Sequence, residues 1–129
     1  MACSMKELKL AKKKRVPVGD REVLLIYHHN EVVALDSICY HLGGPLIEGD
    51  IEDIDGISCI TCPWHSYKID IKTGEGVYFD SAHKLITKGK RQRTHKVRIE
   101  NDNICVTLDN DPNELPSDCY AKRAIAKYS

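Results

Sequence analysis

ISCITCPWHSYKIDI, residues 57–71, sets two runs of alternating residues on either side of a short loop. In the second run Tyr67, Ile69 and Ile71 point to one face and Lys68 and Asp70 to the other, the period-two pattern of a half-buried strand. Ile57–Thr61 reads as the strand before it. The loop between them carries Cys62 and His65 beside the only tryptophan of the chain, Trp64. Working outward, apolar stretches rich in Val and Ile recur at 22–28, 31–36, 96–100 and 104–108. Turn formers separate them: His29-Asn30, Thr73-Gly74-Glu75-Gly76 and Asn101-Asp102-Asn103. The fold class that follows is all-β, a small antiparallel sandwich or barrel.

At 129 residues, with 42% apolar and 29% charged side chains, the chain has the size and composition of one globular domain. Its 19 basic and 19 acidic residues cancel, so no global field draws it to nucleic acid or to an anionic membrane. No apolar run approaches the roughly 20 residues of a spanning helix, and MACSMKELKLAKKKR lacks the apolar core of a secretory signal. The expectation is a cytoplasmic monomer with no nucleic-acid or membrane partner. In that reducing setting the six cysteines are thiols or metal ligands rather than disulfides. Cys3 and Cys119, near the termini, read as free. Cys59 and Cys105 sit within ISCIT and NICVTL, where a thiol behaves as a small buried hydrophobe.

The remaining two cysteines fall in loops, each with a histidine close by. Cys39 and His41 follow the strand ending near Asp36, and Cys62 and His65 follow Ile57–Thr61. Two adjacent loops can close on one metal centre. Gly43, Gly44 and Pro45 tighten the first and Pro63 the second, and glycine lets backbone approach a bound inorganic group. Two Cys and two His are also a zinc donor set, which leaves a zinc-stabilised interaction module as the alternative. A classical finger, however, takes a Cys pair and then a His pair, whereas here each loop supplies one of each. Cys59-Ile-Thr-Cys62 is a CxxC only by count, because Cys59 belongs to a strand.

One Cys and one His per loop suits a two-iron cluster with both Cys on one iron and both His on the other. The sequence resembles the Rieske iron–sulfur family in Cys39-Tyr-His41-Leu-Gly-Gly-Pro-Leu, in Cys62-Pro-Trp-His65, in Glu48-Gly49 and in the TGEG turn. The likeness spans about residues 7–109, leaving 110–129 as a tail in which Ser117 caps a short helix. It implies a Rieske-type sandwich or barrel with two cluster-binding loops. It also implies one 2Fe-2S cluster held by Cys39, His41, Cys62 and His65. The implied role is that of an electron carrier, not an enzyme, working between a flavoprotein reductase and an oxygenase or other acceptor. Neutral imidazoles in place of two thiolates ease reduction, lifting the potential from about −400 mV into roughly −150 to +300 mV. High-potential members carry a loop disulfide and a Ser and a Tyr that donate to cluster sulfurs. Gly44, Trp64, Tyr67 and Ile69 stand at those positions here, so the low end is expected.

The chain departs from the family pattern in three places. The spacer between the loops is longer, with the acidic string Glu48, Asp50, Glu52, Asp53 and Asp55. Ser66 replaces the usual Gly after the second His, and the proline loop that screens the cluster is not recognisable. Residues 80–95 read as a long polar surface loop, and the basic run Lys84–Arg98 as its solvated charge. The Lys12–Arg15 run leads into a strand. His28, His29, His83 and His95 have no partner at ligand spacing and read as surface residues.

Overall fold

The computed structural model describes residues 2–40, 43–64, 66–118 and 120. After β1 (Cys3–Ser4) and helix α1 (Met5–Ala11), the chain runs through β2 (Lys13–Val18), β3 (Arg21–His28) and β4 (Glu31–Asp36). A single 3-10 turn at Leu46–Glu48 precedes β5 (Asp50–Ile54), β6 (Ile57–Thr61), β7 (Lys68–Asp70), β8 (Glu75–Phe79) and β9 (Leu85–Lys90). The described strands end with β10 (Thr94–Glu100) and β11 (Asn103–Thr107). They form two antiparallel sheets, ordered β1-β11-β10-β4-β3-β2 and β5-β6-β7-β8-β9. The expected antiparallel all-β fold is thus the observed one.

The core divides at β3. Leu24 and Ile26 face the second sheet and pack with Leu35, Ile60, Ile69 and Ile71. Val23 and Leu25 face the other way and pack with Leu8 of α1, Val16, Ala34 and Ile104. Because a helix covers the outer face, the run VLLI is apolar at every position instead of alternating. Ser4 caps that helix by accepting the Glu7 N–H at 3.1 Å, a benefit of about 1 kcal/mol.

The turns follow the local chemistry. His29 and Asn30 (φ 51° and 62°) and Asn101 and Asp102 (φ 49° and 62°) make two-residue hairpin turns of the kind that match strand twist. Residues 80–95 require a correction: they are not a surface loop. Leu85–Lys90 pairs with β8 as the edge of the second sheet, and Gln92, Arg93 and His95 are buried. Edge strands are exposed along much of their length, so LITKGK lacks the apolar alternation that marks a strand. The acidic Asp50–Ile54 is likewise an edge strand, paired with β6. The terminal-helix expectation falls largely outside the described residues. Ser117 itself accepts from the Arg93 N–H and donates to Asp36 Oδ2, both at 2.9 Å.

Candidate metal centre

The two loops singled out by sequence leave neighbouring strand ends and meet. In the first, Cys39 N–H donates to Gly44 O at 2.8 Å and Gly43 N–H to Cys39 O at 3.1 Å. An Ile38–Pro45 bridge closes its base. The second is a tight loop in which Cys62 N–H donates to Tyr67 O at 2.7 Å. Ser66 adopts φ 57°, the left-handed conformation that explains a glycine preference there; serine holds the same turn at some cost.

Cys39 and Cys62 are 0% and 1% exposed and share one apolar cluster. A Cβ placed on Gly44 would stand 2.5 Å from Cys62 Sγ and 3.2 Å from Trp64 Cγ, so glycine is required for the loops to touch. Trp64 leans on that glycine while remaining 49% exposed. His41 and His65 lie outside the described residues. Cys59, by contrast, is buried in β6, and burial pushes its thiol up to about 11, which keeps it protonated and unsuited to bind metal. Cys3, Cys59, Cys62 and Cys105 are not in disulfides. Cys3 is buried and Cys105 only half-buried.

Several residues that support this region gave no sequence signal. Gln92 is fully buried. Its Nε2 donates to Asp36 O (2.8 Å) and Ile38 O (2.6 Å), and its Oε1 accepts from Tyr40 N–H (2.9 Å). One side chain thereby pins the backbone on both sides of Cys39. Beside it, Asp36 accepts from Arg21 Nε and Nη2, His95 Nε2 and Ser117 Oγ. His95 is therefore buried in a network, not a surface residue. Its Nδ1 accepts from the Asp109 N–H at 3.0 Å, which leaves Nε2 as the donor to Asp36.

Arg93 is the second correction to the basic run, since it is no solvated charge. It donates to the Asp118 and Asp109 carboxylates and to the carbonyls of Asp111 and Asn113. These bonds, led by the one to Asp118, raise it above its ordinary value. The tail is thus fastened beside the first loop, where the Tyr120 ring lies 3.0 Å from the Cβ position of Gly43.

Tyr40 completes the surroundings. Its ring meets Tyr67 edge-on at 6.2 Å, and its hydroxyl is buried with no hydrogen-bond partner among the described residues. Burial pushes that phenol up to about 12. Paired buried thiols, a glycine cradle a Cβ would fill and an orphaned hydroxyl fit an inorganic group with sulfur character.

These features define a small two-sheet domain with paired thiols presented from facing loops. Comparison with known proteins agrees. The family described as soluble Rieske-type ferredoxin matches residues 2–111. A human Rieske domain-containing protein is 48% identical over 122 residues, 89% of this chain and 78% of its own. The ferredoxin component of an alkene monooxygenase system from Xanthobacter autotrophicus is 35% identical over 60 residues, 46% of this chain and 47% of its own. Among solved structures, the ferredoxin of carbazole 1,9a-dioxygenase from Nocardioides aromaticivorans shares the fold. Its TM-score is 0.66 over 84% of this chain and 95% of that one, at 20% identity. The chain belongs to the soluble Rieske-type ferredoxins. That membership makes it an iron–sulfur, electron-transfer protein and not an enzyme in its own right. Among the described residues no helix is long and apolar enough to cross a membrane.

Proposed function

We propose that the chain carries single electrons on one 2Fe-2S cluster, with Cys39 and Cys62 on one iron and His41 and His65 on the other. The observation that carries this reading is the contact of the two loops at Gly44 and Cys62 Sγ, with both thiols buried in one cradle. When bound, the cluster supplies a one-electron couple. The protein's part is to hold the ligands and keep water from the sulfurs, which the apolar surroundings of Cys39 and Cys62 support.

Electrons would come from a flavoprotein reductase and pass to an oxygenase or other acceptor in the cytoplasm, where free thiols persist. The naming of the Xanthobacter relative as part of a monooxygenase system supports that setting. A docking face adjoins the second loop. Trp64, Tyr78 and Phe79 are exposed, and Lys88 Nζ lies 4.3 Å over the Tyr67 ring. Apolar contacts edged by lysines suit an acidic partner.

Elemental and sulfide analysis of natively folded protein tests the reading. Equal iron and acid-labile sulfide, two of each per chain, with a paramagnetic reduced form is the expected result. Zinc without sulfide would replace it with a structural site. His65→Cys in a protein that retains its cluster should lower the midpoint, because a thiolate adds negative charge where an imidazole stood. An unchanged midpoint would refute the mixed ligation.

A further inference from the structure

Two histidines that sequence analysis left on the surface converge on one carboxylate at the far end of the sandwich. His28 ends β3 and His29 begins the hairpin turn. Adjacent residues in a strand send their side chains to opposite faces. The left-handed φ of 51° at His29 swings its ring round, so that the two ring centres lie 4.0 Å apart. Both Nε2 atoms then face Asp53 of β5, His28 at 3.1 Å from Oδ1 and His29 at 2.5 Å from Oδ2. Ser58 Oγ, directly across the β5–β6 pair, donates to Asp53 Oδ1 at 2.7 Å and fixes the carboxylate. The imidazoles come from one sheet and the carboxylate from the other.

We propose that His28, His29 and Asp53 bind a divalent transition-metal cation, zinc being the expected occupant, and that the ion clasps the two sheets at this end. The candidate ligand atoms all lie within 4.8 Å of one another. Ligands about 2.0–2.2 Å from a tetrahedral zinc are separated by roughly 3.3 Å, so small side-chain rotations admit the ion. Two imidazoles and a carboxylate favour zinc, copper or nickel over magnesium or calcium. The hydroxyl of Ser58 supplies the hydrogen bond that usually orients a ligating carboxylate. His29 is 66% exposed and Asp53 47%, which leaves solvent to fill the fourth position. Strands β4 and β6 run from this end to the cysteine loops, a span of roughly 15 Å, so the ion is separate from the iron–sulfur centre.

Calorimetric titration of the iron-loaded full chain with zinc chloride at pH 7.5 tests the site, with iron counted before and after. The expected result is one zinc per chain, unchanged iron, and a melting temperature that rises with zinc concentration. Asp53→Asn and His28→Gln should each weaken binding by about ten-fold or more. His83→Gln, at an exposed turn elsewhere, should bind as the unaltered chain does. Retained iron in each variant certifies its folding. Absence of binding, equal binding in all four proteins, or zinc uptake matched by iron loss would overturn the proposal.

Discussion

Replacing Gln92 with alanine is the sharpest test of how the first cysteine loop is held. The side chain makes three hydrogen bonds, two of them buried, to Asp36 O and Ile38 O, and one partly buried, from Tyr40 N–H. At about 1 kcal/mol net for each, their loss costs about 3 kcal/mol, and a buried peptide group left unpaired adds 1–3 kcal/mol. Water entering the vacated space recovers part of that. A net loss of about 3–4 kcal/mol corresponds to a drop of roughly 10–15 °C in melting temperature for a domain of this size. The bonds flank Cys39, so release of iron to a chelator should accelerate together with the loss of stability. Gln92→Glu is the companion variant: it preserves volume but sets a carboxylate oxygen against two carbonyl oxygens, and should be at least as harmful. Thermal and urea unfolding of iron-loaded protein, with iron release followed in parallel, reads the outcome. A Q92A protein melting within about 2 °C of the parent and releasing iron at the same rate would refute the clamp.

Three further outcomes follow from the same structure. Gly44→Ala forces a methyl group into Cys62 Sγ and the Trp64 ring; overpacking of this kind costs about 1–3 kcal/mol, and iron content after purification should fall well below that of the parent. Cys105→Ser should leave iron content and the visible spectrum intact and cost under about 1 kcal/mol in urea unfolding, since Cys105 is only half-buried. Burial by itself would raise the Asp118 carboxyl, but Arg93, the Leu115 N–H and Arg21 together hold it below the usual carboxylate range. A carboxylate depressed in the folded state stabilises above its unfolded value of about 3.9 and loses that contribution as pH falls further. Urea midpoints should therefore decline from about pH 4 downward, and Asp118→Asn should flatten that acid limb; parallel curves would show that the tail latch adds nothing.

Local spacing made much of this protein legible. ISCIT, YKIDI, EVVALD and NICVT alternate or run apolar over the length of one strand, and the His29-Asn30 and Asn101-Asp102 turns are encoded by adjacent residues. The cysteine loops with their glycines are equally local, which is why the family could be recognised from CYHLGGPL and CPWH. The edge strands at 50–54 and 85–90 escaped because exposure removes the apolar signal on which strand recognition depends.

What tertiary structure alone decided involves residues far apart in the chain. Gln92 reaches back to Asp36, Ile38 and Tyr40; Arg93 captures Asp118; His95 joins Asp36 to Asp109. None of these pairings has a spacing that a sequence pattern can show. The same is true of His28, His29 and Asp53, whose convergence needs two sheets to face each other and one histidine to take a left-handed turn. The sequence by itself specifies which segments are strands and which loops carry ligand chemistry, because those depend on neighbours along the chain. Which polar side chains are buried, and against what, depends on packing across the sandwich, where burial makes an unpaired donor or acceptor costly enough to demand a distant partner.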